Sequence, residues 1–285
     1  MGGNELILRN NPLNVSPAVG QGQCLASQLS SLGVGTGSAV IVHASMRAVG
    51  EAAGRSETLL DGLLNVLGPQ GTLVVPTFTP ENSDTSSAHL ERVRGLGKQA
   101  SAQLRDTMPA FNADTTPAPS MGIFSETVRK APGAQRSEHP QTSFAALGRQ
   151  AEEVVANHAR RCHLGEDSPL ARLYDLDARV LLLGVGFDVC SAFHLAEYRL
   201  PKPPRRTYRC VVSTHGERHW WEYEDVVLDD SDFGALGADF ESSESGSVVL
   251  RGQVGAASCR LLPLRDAVDY AVEWLSVHRK RVDFG

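Results

Sequence analysis

His194 and Glu197 stand three residues apart within VLLLGVGFDVCSAFHLAEYR, residues 180–199. On a helix that spacing puts an imidazole and a carboxylate on one face. A histidine exchanges a proton near neutral pH. The apolar run that precedes it ends in Gly-Val-Gly and feeds a segment that can be helical. A buried strand that stops at glycines and enters a helix places polar side chains at the carboxyl edge of a sheet, where open α/β sheets bind ligands. A histidine there can serve as a base, or can equally be a core histidine satisfied by a backbone carbonyl. Cys190, four residues before His194, could face it as a Cys–His pair. A buried structural cysteine is the commoner outcome and is preferred here. Glu197 reads as a structural or supporting residue rather than a second catalytic carboxylate.

Three further segments carry polar groups next to apolar runs. V-H-A-S-M-R-A-V-G, residues 42–50, follows a strand-like run and offers backbone N–H groups and Arg47 to an anion; an ordinary strand-to-helix turn would look the same. R-S-E-H-P-Q-T-S-F-A-A-L-G, residues 136–148, sets His139 before a proline, where it could face a ligand or fix its loop. G-E-D-S-P-L-A-R-L, residues 165–173, reads as Ser168 capping a helix that starts at Pro169.

The elements that must hold these residues alternate between apolar runs and amphipathic ones, which predicts an α/β layer architecture. Helices are expected over 23–32, 56–67, 123–129, 149–158, 169–174 and 265–279. Leu59, Leu60, Leu63, Leu64 and Leu67 give the second of these its helical period. Strands are expected over 39–43, 72–76, 143–147, 180–183 and 258–262. A hairpin is expected from 207–213 to 217–223 about Thr214-His215-Gly216. Residues 80–108 are polar with no clear period and read as a long excursion or lid. Residues 229–246 are acidic and rich in Gly and Ser, and read as exposed loop with some helix. No internal repeat is evident.

With 285 residues, 41% apolar and 21% charged, the chain is an ordinary globular one with room for a sizeable core. A net charge of −6 argues against a nucleic-acid partner and suits a cationic small molecule. Five scattered cysteines, none in a C-x-x-C pair, fit a reducing compartment rather than a disulfide framework or a zinc ribbon. The first residues show no basic flank with a long apolar core, so no signal peptide is expected, and no apolar run reaches membrane-spanning length. The expectation is a cytoplasmic protein without a membrane partner. P-loop, dinucleotide, H-E-x-x-H and G-x-S-x-G patterns are absent, and no cluster has metal spacing.

Taken in order, H-A-S-M-R, G-T-L-V-V-P-T-F-T, R-S-x-H-P-x-x-S-F-A-A-L-G, S-P-L-A-R-L and L-L-L-G-V-G-x-D-x-x-x-x-F-H-L-A-E strongly resemble the aminoglycoside 3-N-acetyltransferase family. The resemblance is close over residues 25–199 and looser beyond. It implies a three-layer α/β/α sandwich around a mixed central sheet, one domain spanning 1–285, with a lid-like excursion near 80–110. It implies acetyl transfer from acetyl-coenzyme A to the 3-amino group of a 2-deoxystreptamine antibiotic, without a metal. Coenzyme A is then expected along His43, Ala44, Ser45, Met46, Arg47 and Val49, and at Ser168, Leu170 and Arg172. His194 is the implied general base. An acid after the hairpin is expected to support it: Glu222, Glu224 or Asp225, with Glu224 favoured. Phe78, Asn112, His139, Asp188 and Glu222 are the expected antibiotic-facing residues. Asn112 after Phe111, and Asp188-Val189-Cys190-Ser191 before the His194 motif, depart from the family's pattern.

The chemistry fits these residues. A protonated amine must lose a proton before it attacks a thioester, and a histidine oriented by a carboxylate can accept it. The oxyanion then needs a donor, a backbone N–H or a hydroxyl such as that of Thr77. Two alternatives keep the fold: an acetyltransferase for a biosynthetic amine or phosphonate nucleotide, and a coenzyme A-binding protein without catalysis. The expected assembly is a monomer or homodimer.

Overall fold

The computed structural model describes residues 17–50 and 55–279; the N-terminal stretch read for a signal peptide lies outside them. In chain order the elements are α1 (Pro17–Leu32), β1 (Ala39–Ala44), α2 (Met46–Val49), α3 (Ser56–Leu67), β2 (Thr72–Pro76), α4 (Ser87–Val93), α5 (Lys98–Asp106), α6 (Gly122–Lys130), β3 (Gln135–Arg136), β4 (Phe144–Gly148), α7 (Ala151–Val155), α8 (Pro169–Asp175), β5 (Arg179–Leu183), α9 (Phe193–Tyr198), β6 (Arg205–Thr214), β7 (Glu217–Val226), α10 (Phe233–Ser242), β8 (Leu250–Val254), β9 (Ala257–Pro263) and α11 (Leu264–His278).

Seven strands form one sheet in the order β3-β4-β2-β1-β5-β9-β8. Its centre, β2-β1-β5, is parallel, with Val40 opposite Leu73 and Val42 opposite Leu181. The outer strands pair antiparallel, so the sheet is mixed. Strand side chains alternate faces, and the middles of the central strands, Val40–Val42, Leu73–Val75 and Val180–Leu183, are apolar throughout, so both faces are covered. Val40, Val42, Leu73, Val75, Leu181 and Leu183 pack with α1, α3 and α6. Ile41, Val74, Val180 and Leu182 pack with α7 to α11. This is a three-layer α/β/α architecture, and the sheet's expected mixed character is present.

Two junctions at the carboxyl edge of β1 and β5 shape the site. The Ser45 N–H donates to the Leu183 carbonyl at 2.9 Å, and its hydroxyl caps α2 by accepting from the Ala48 N–H at 3.3 Å. Gly184 sits at φ 68°, and a Cβ there would lie 2.4 Å from the Ala48 Cβ. The first glycine of Gly-Val-Gly is thus required both by its backbone angle and by the close approach of α2.

Five regions differ from the sequence expectation. Residues 80–108 carry α4 and α5, and they are fastened to the β6–β7 hairpin. Asp84 accepts from Arg209 and Arg105, and Arg218 donates to the carbonyls of Met108 at 3.0 Å and Arg105 at 2.8 Å. Their order comes from partners more than a hundred residues away, which no local period can report. Residues 229–246 contain α10, whose Phe233, Leu236 and Phe240 are wholly buried. These apolar residues keep helical spacing inside an acidic, glycine-rich surround. The helix expected over 149–158 is only α7, and Asn157 at φ 53° lies beyond its end. The exposed edge strand β8 was not expected. The hairpin extends over 205–226, and its turn is His215-Gly216, both in the left-handed region that a two-residue hairpin turn demands.

Candidate active site

His194 lies on the first turn of α9, reached from β5 through the Gly184 turn and a short 3₁₀ turn at Phe187–Val189. Its Nδ1 lies 2.7 Å from Glu197 Oε2. The spacing of three residues on α9 brings them together. Glu197 is 1% exposed at its side chain and is an acceptor only, so the geometry makes Nδ1 the protonated nitrogen and leaves the lone pair on Nε2. Nε2 has no partner among the described residues and is not sealed from solvent; the side chain is 12% exposed. The other oxygen of Glu197 accepts from the Asp229 N–H at 3.0 Å and from Arg279 Nη1 at 2.5 Å. The Phe233 ring lies 4.7 Å from the imidazole and limits its tilt.

His43, at the end of β1, faces the same place. Burial, with a further push from the nearby His194, lowers its pKa to about 4, so it stays neutral at pH 7. Its Nε2 is buried without a partner among the described residues. Next in the chain, Ala44, Ser45 and Met46 are half-buried at the carboxyl edge, Arg47 is exposed, and Val49 is buried in the core. Arg47 is therefore an exposed cation without an ion-pair partner among the described residues, beside a strand-end turn that presents backbone donors.

A second histidine–carboxylate pair lies behind the first. His163 Nδ1 is 2.8 Å from Asp225 Oδ2, and the His163 backbone N–H donates to the same oxygen at 2.7 Å. The Tyr198 hydroxyl, from the last residue of α9, donates to it at 2.6 Å. His163 Nε2 meets the Tyr223 hydroxyl at 2.8 Å, and Tyr223 in turn donates to Gln141 Oε1. His139 packs 4.7 Å from the His163 ring and 4.8 Å from the His158 ring. Burial would raise the Asp225 carboxyl, but hydrogen bonds from His163 and Tyr198 outweigh it and hold the pKa low. Burial holds His163 below its ordinary range.

The placement of the expected residues is mixed. The carboxylate on His194 is Glu197, from its own helix, and not Glu224, Glu222 or Asp225. Alternation along β7 explains this: Tyr223 and Asp225 point inward, while Glu222 and Glu224 point out. Those two glutamates line an open cleft of about 500 Å³ with Arg161, Arg205, Thr207 and Tyr223. Asp225 serves His163. Thr77 is wholly buried; its hydroxyl donates to the Ser143 carbonyl at 3.0 Å and accepts from Arg136 Nε at 3.1 Å, so it is not free to donate to an oxyanion. His139 is also wholly buried, and its Nδ1 accepts from the N–H groups of Gln141 and Thr142, so it does not reach an antibiotic. Asn112 is exposed, but its Oδ1 caps its own loop by accepting from Asp114 and Thr115. Ser168 caps α8, accepting from the Leu170 N–H, and is buried. Leu170 is in the core and cannot touch a cofactor. Arg172 folds back on the Ser168 carbonyl at 2.8 Å. Asp188 is exposed at the carboxyl edge, and Phe78 packs edge-on to Phe144. Cys190 is buried, and burial pushes its thiol up to about 12, which leaves no thiolate for a Cys–His pair.

His163, His158, Tyr198 and Tyr223 were not singled out from the sequence. Their order along the chain carries no spacing signal, because the network joins a loop, a helix end and a distant hairpin.

A sequence profile of the aminoglycoside 3-N-acetyltransferase family matches residues 41–276. The chain belongs to that family. It is 35% identical over 253 residues to a prophage-derived aminoglycoside N(3')-acetyltransferase-like protein, YokD of Bacillus subtilis, covering 88% of this chain and 91% of that one. The crystal structure of YokD superposes with a TM-score of 0.84 over 91% of this chain and 94% of that one. Aminoglycoside N(3)-acetyltransferase VII of Streptomyces paromomycinus is 34% identical, covering 88% of this chain and 90% of its own length. Two solved relatives carry ligands. AAC-VIa bound to sisomicin has a TM-score of 0.75 at 32% identity, over 88% of this chain and 95% of its own. AAC-IIIb in a binary complex with CoASH has a TM-score of 0.76 at 26% identity, over 89% and 95%. This chain is an N-acetyltransferase of that class. Among its described residues no helix is long and apolar enough to cross a membrane, and no group of three His, Cys, Asp or Glu is placed to hold a metal ion.

Proposed function

We propose that the protein transfers the acetyl group of acetyl-coenzyme A to the 3-amino group of a 2-deoxystreptamine aminoglycoside, with His194 as general base. The observation that carries this is the His194–Glu197 pair: one ring nitrogen fixed by a buried carboxylate, the other unpartnered and open at the carboxyl edge. His194 Nε2 takes a proton from the ammonium form's amine, directly or through water. That first proton passes on to solvent; as the neutral amine attacks the thioester carbonyl, Nε2 takes the second proton from the attacking nitrogen, and the imidazolium gives it to the leaving thiolate as the C–S bond breaks. No covalent acyl-enzyme is needed, and the Cys190 thiol is not available for one. With Thr77 committed to Ser143 and Arg136, the oxyanion donor is assigned to the backbone N–H groups of the β1–α2 turn.

The coenzyme A of one relative and the sisomicin of another support the two substrates. The residues here fit the first. Ser45 opens α2, Arg47 supplies an exposed cation for phosphate, and His43 keeps a buried unpartnered nitrogen beside His194. The antibiotic, a polycation, suits the acids after the hairpin: Asp229 and Asp230 are exposed, and Asp232 is near them.

Thiol release from acetyl-coenzyme A with a panel of aminoglycosides tests the reading. Release with gentamicin-like or kanamycin-like compounds is expected. Release only with a neutral or anionic amine would replace it with the biosynthetic-acceptor reading. Arg47→Ala should raise KM for acetyl-coenzyme A about tenfold and leave KM for the amine near its original value. An effect on the amine alone would remove coenzyme A from this turn.

A further inference from the structure

Arg279 closes α11 and reaches the carboxylate that orients the base. Its Nη1 donates to Glu197 Oε1 at 2.5 Å, and its Nε and Nη2 hold the two carboxylate oxygens of Asp232 at 2.8 and 2.6 Å. Nη2 also donates to the Asp229 carbonyl. One guanidinium thus ties together the carboxylate of α9, the backbone after the hairpin and the start of α10. A planar fork with five donors can serve acceptors in these different directions at once, and an ammonium cannot. Arg279 lies beyond residue 276, where the family match ends.

We propose that Arg279 is a positioning residue for the proton transfer: it fixes Glu197 in the rotamer that presents His194 Nε2, and its charge sets the pH at which the His194–Glu197 pair takes up a proton. This rests on the reading of His194 as the base. Glu197 is almost wholly buried, and without its paired cation it would be an uncompensated buried charge. The charged and titratable groups that face the pair come from every element packed there. They are His43 from β1, His163 from the loop before α8, Asp229 and Asp232 from the segment before α10, and Arg279 from α11. Of these, Arg279 alone is a permanent cation in contact with Glu197. Remove it, and among the described residues no other cation touches Glu197 to offset its pull on the imidazolium proton. The pair then holds its proton to higher pH.

The test is the pH profile of kcat for thiol release at saturating substrates, on Arg279→Ala, Arg279→Gln and Arg279→Lys. Arg279→Ala and Arg279→Gln should lower kcat about tenfold or more. Their acidic limb should move up by about half a unit or more, with KM for acetyl-coenzyme A unchanged. Arg279→Lys should keep the limb near its original position while losing part of kcat. Arg279→Gln retains donors, so it reports the charge if the alanine variant does not fold. A lowered kcat with an unmoved limb, or a lysine variant displaced as far as the glutamine one, would overturn the proposal. His194→Ala measured alongside separates the two readings. If it keeps turnover, the base assignment fails; if it is inactive while the Arg279 variants leave the limb in place, only the role of Arg279 fails.

Discussion

Among the described residues two histidine–carboxylate pairs have nearly equal geometry, 2.7 Å at His194–Glu197 and 2.8 Å at His163–Asp225. In each, Nδ1 faces a buried acid. They differ at the other nitrogen. His194 leaves Nε2 unpartnered at an opening, whereas His163 spends Nε2 on Tyr223 and is sealed among His139, Tyr208 and Tyr223. A carboxylate behind an imidazole is therefore not enough to mark a base. The free nitrogen and the route to it decide, and a pair that lacks them is a joint. The His163 pair joins the loop before α8 to β7 and, through Tyr198, to the end of the helix that carries His194.

The sharpest way to break this contrast is to remove each histidine. His194→Ala should cut turnover by about two to four orders of magnitude, the usual worth of a positioned base, with melting temperature little changed. Near-normal turnover in a folded variant would end its role. His163→Phe should do the reverse. It leaves Asp225 buried and short of a donor, a loss of about 3–5 kcal/mol of stability, read as a fall in melting temperature of several degrees or more. Turnover per folded molecule should stay within about tenfold of the parent. A His163 variant as stable as the parent but as inactive as His194→Ala would reverse the two assignments.

The same contrast shows what a sequence can carry. His194 and Glu197 were legible because three residues along one helix are neighbours in space, and because glycines after an apolar strand announce the carboxyl edge. The central strands were legible for the same local reason, since strands buried on both faces are apolar throughout. Glu197 was seen but underrated: its partners Arg279 and Asp229 lie 82 and 32 residues away. The preference for Glu224 failed on a one-residue question of phase. On a strand the neighbours Glu224 and Asp225 face opposite ways, and only the pairing of β7 with β6 fixes which is inward. Thr77 and His139 look like site residues in a motif, yet their polar atoms are consumed by the motif's own loops. Order in 80–108 was illegible because Asp84 is held by Arg105 and Arg209 rather than by a core-facing stripe.

Acid should sharpen the contrast next. His158 is buried with Nε2 on the carbonyls of Cys162 and His163, and burial lowers its pKa to about 4. His139 and His163 are lowered for the same reason, burial first. An unfolded histidine protonates near pH 6.5, so between that pH and the folded values the unfolded chain binds more protons. Stability is then fully present above about pH 6.5 and is lost as pH falls toward 4, on the order of 3 kcal/mol for His158 alone. Melting temperature recorded from pH 7.5 to 4.5 should fall steeply below about 6.5. A flat curve would mean that the buried cluster is not kept neutral by the fold.

The smallest expected effect tests the carboxylate assignment itself. Glu224 is exposed on the outer face of β7, in the cleft with Arg161 and Arg205, while Glu197 touches His194. A carboxylate that supports an imidazole must meet its Nδ1; one on the opposite face of a strand can act only through screened charge. Glu224→Gln removes that charge with almost no change of shape, and exposed substitutions of this kind change stability by about half a kcal/mol at most. Turnover should therefore stay within about threefold of the parent, with the acidic limb of its pH profile unmoved. Glu197→Gln, which puts an amide against the same Nδ1, should cost far more. If the glutamine at 224 instead lowered kcat by a hundredfold and left KM alone, the hairpin would have to fold over His194 during turnover, and Glu197 would return to a purely structural role.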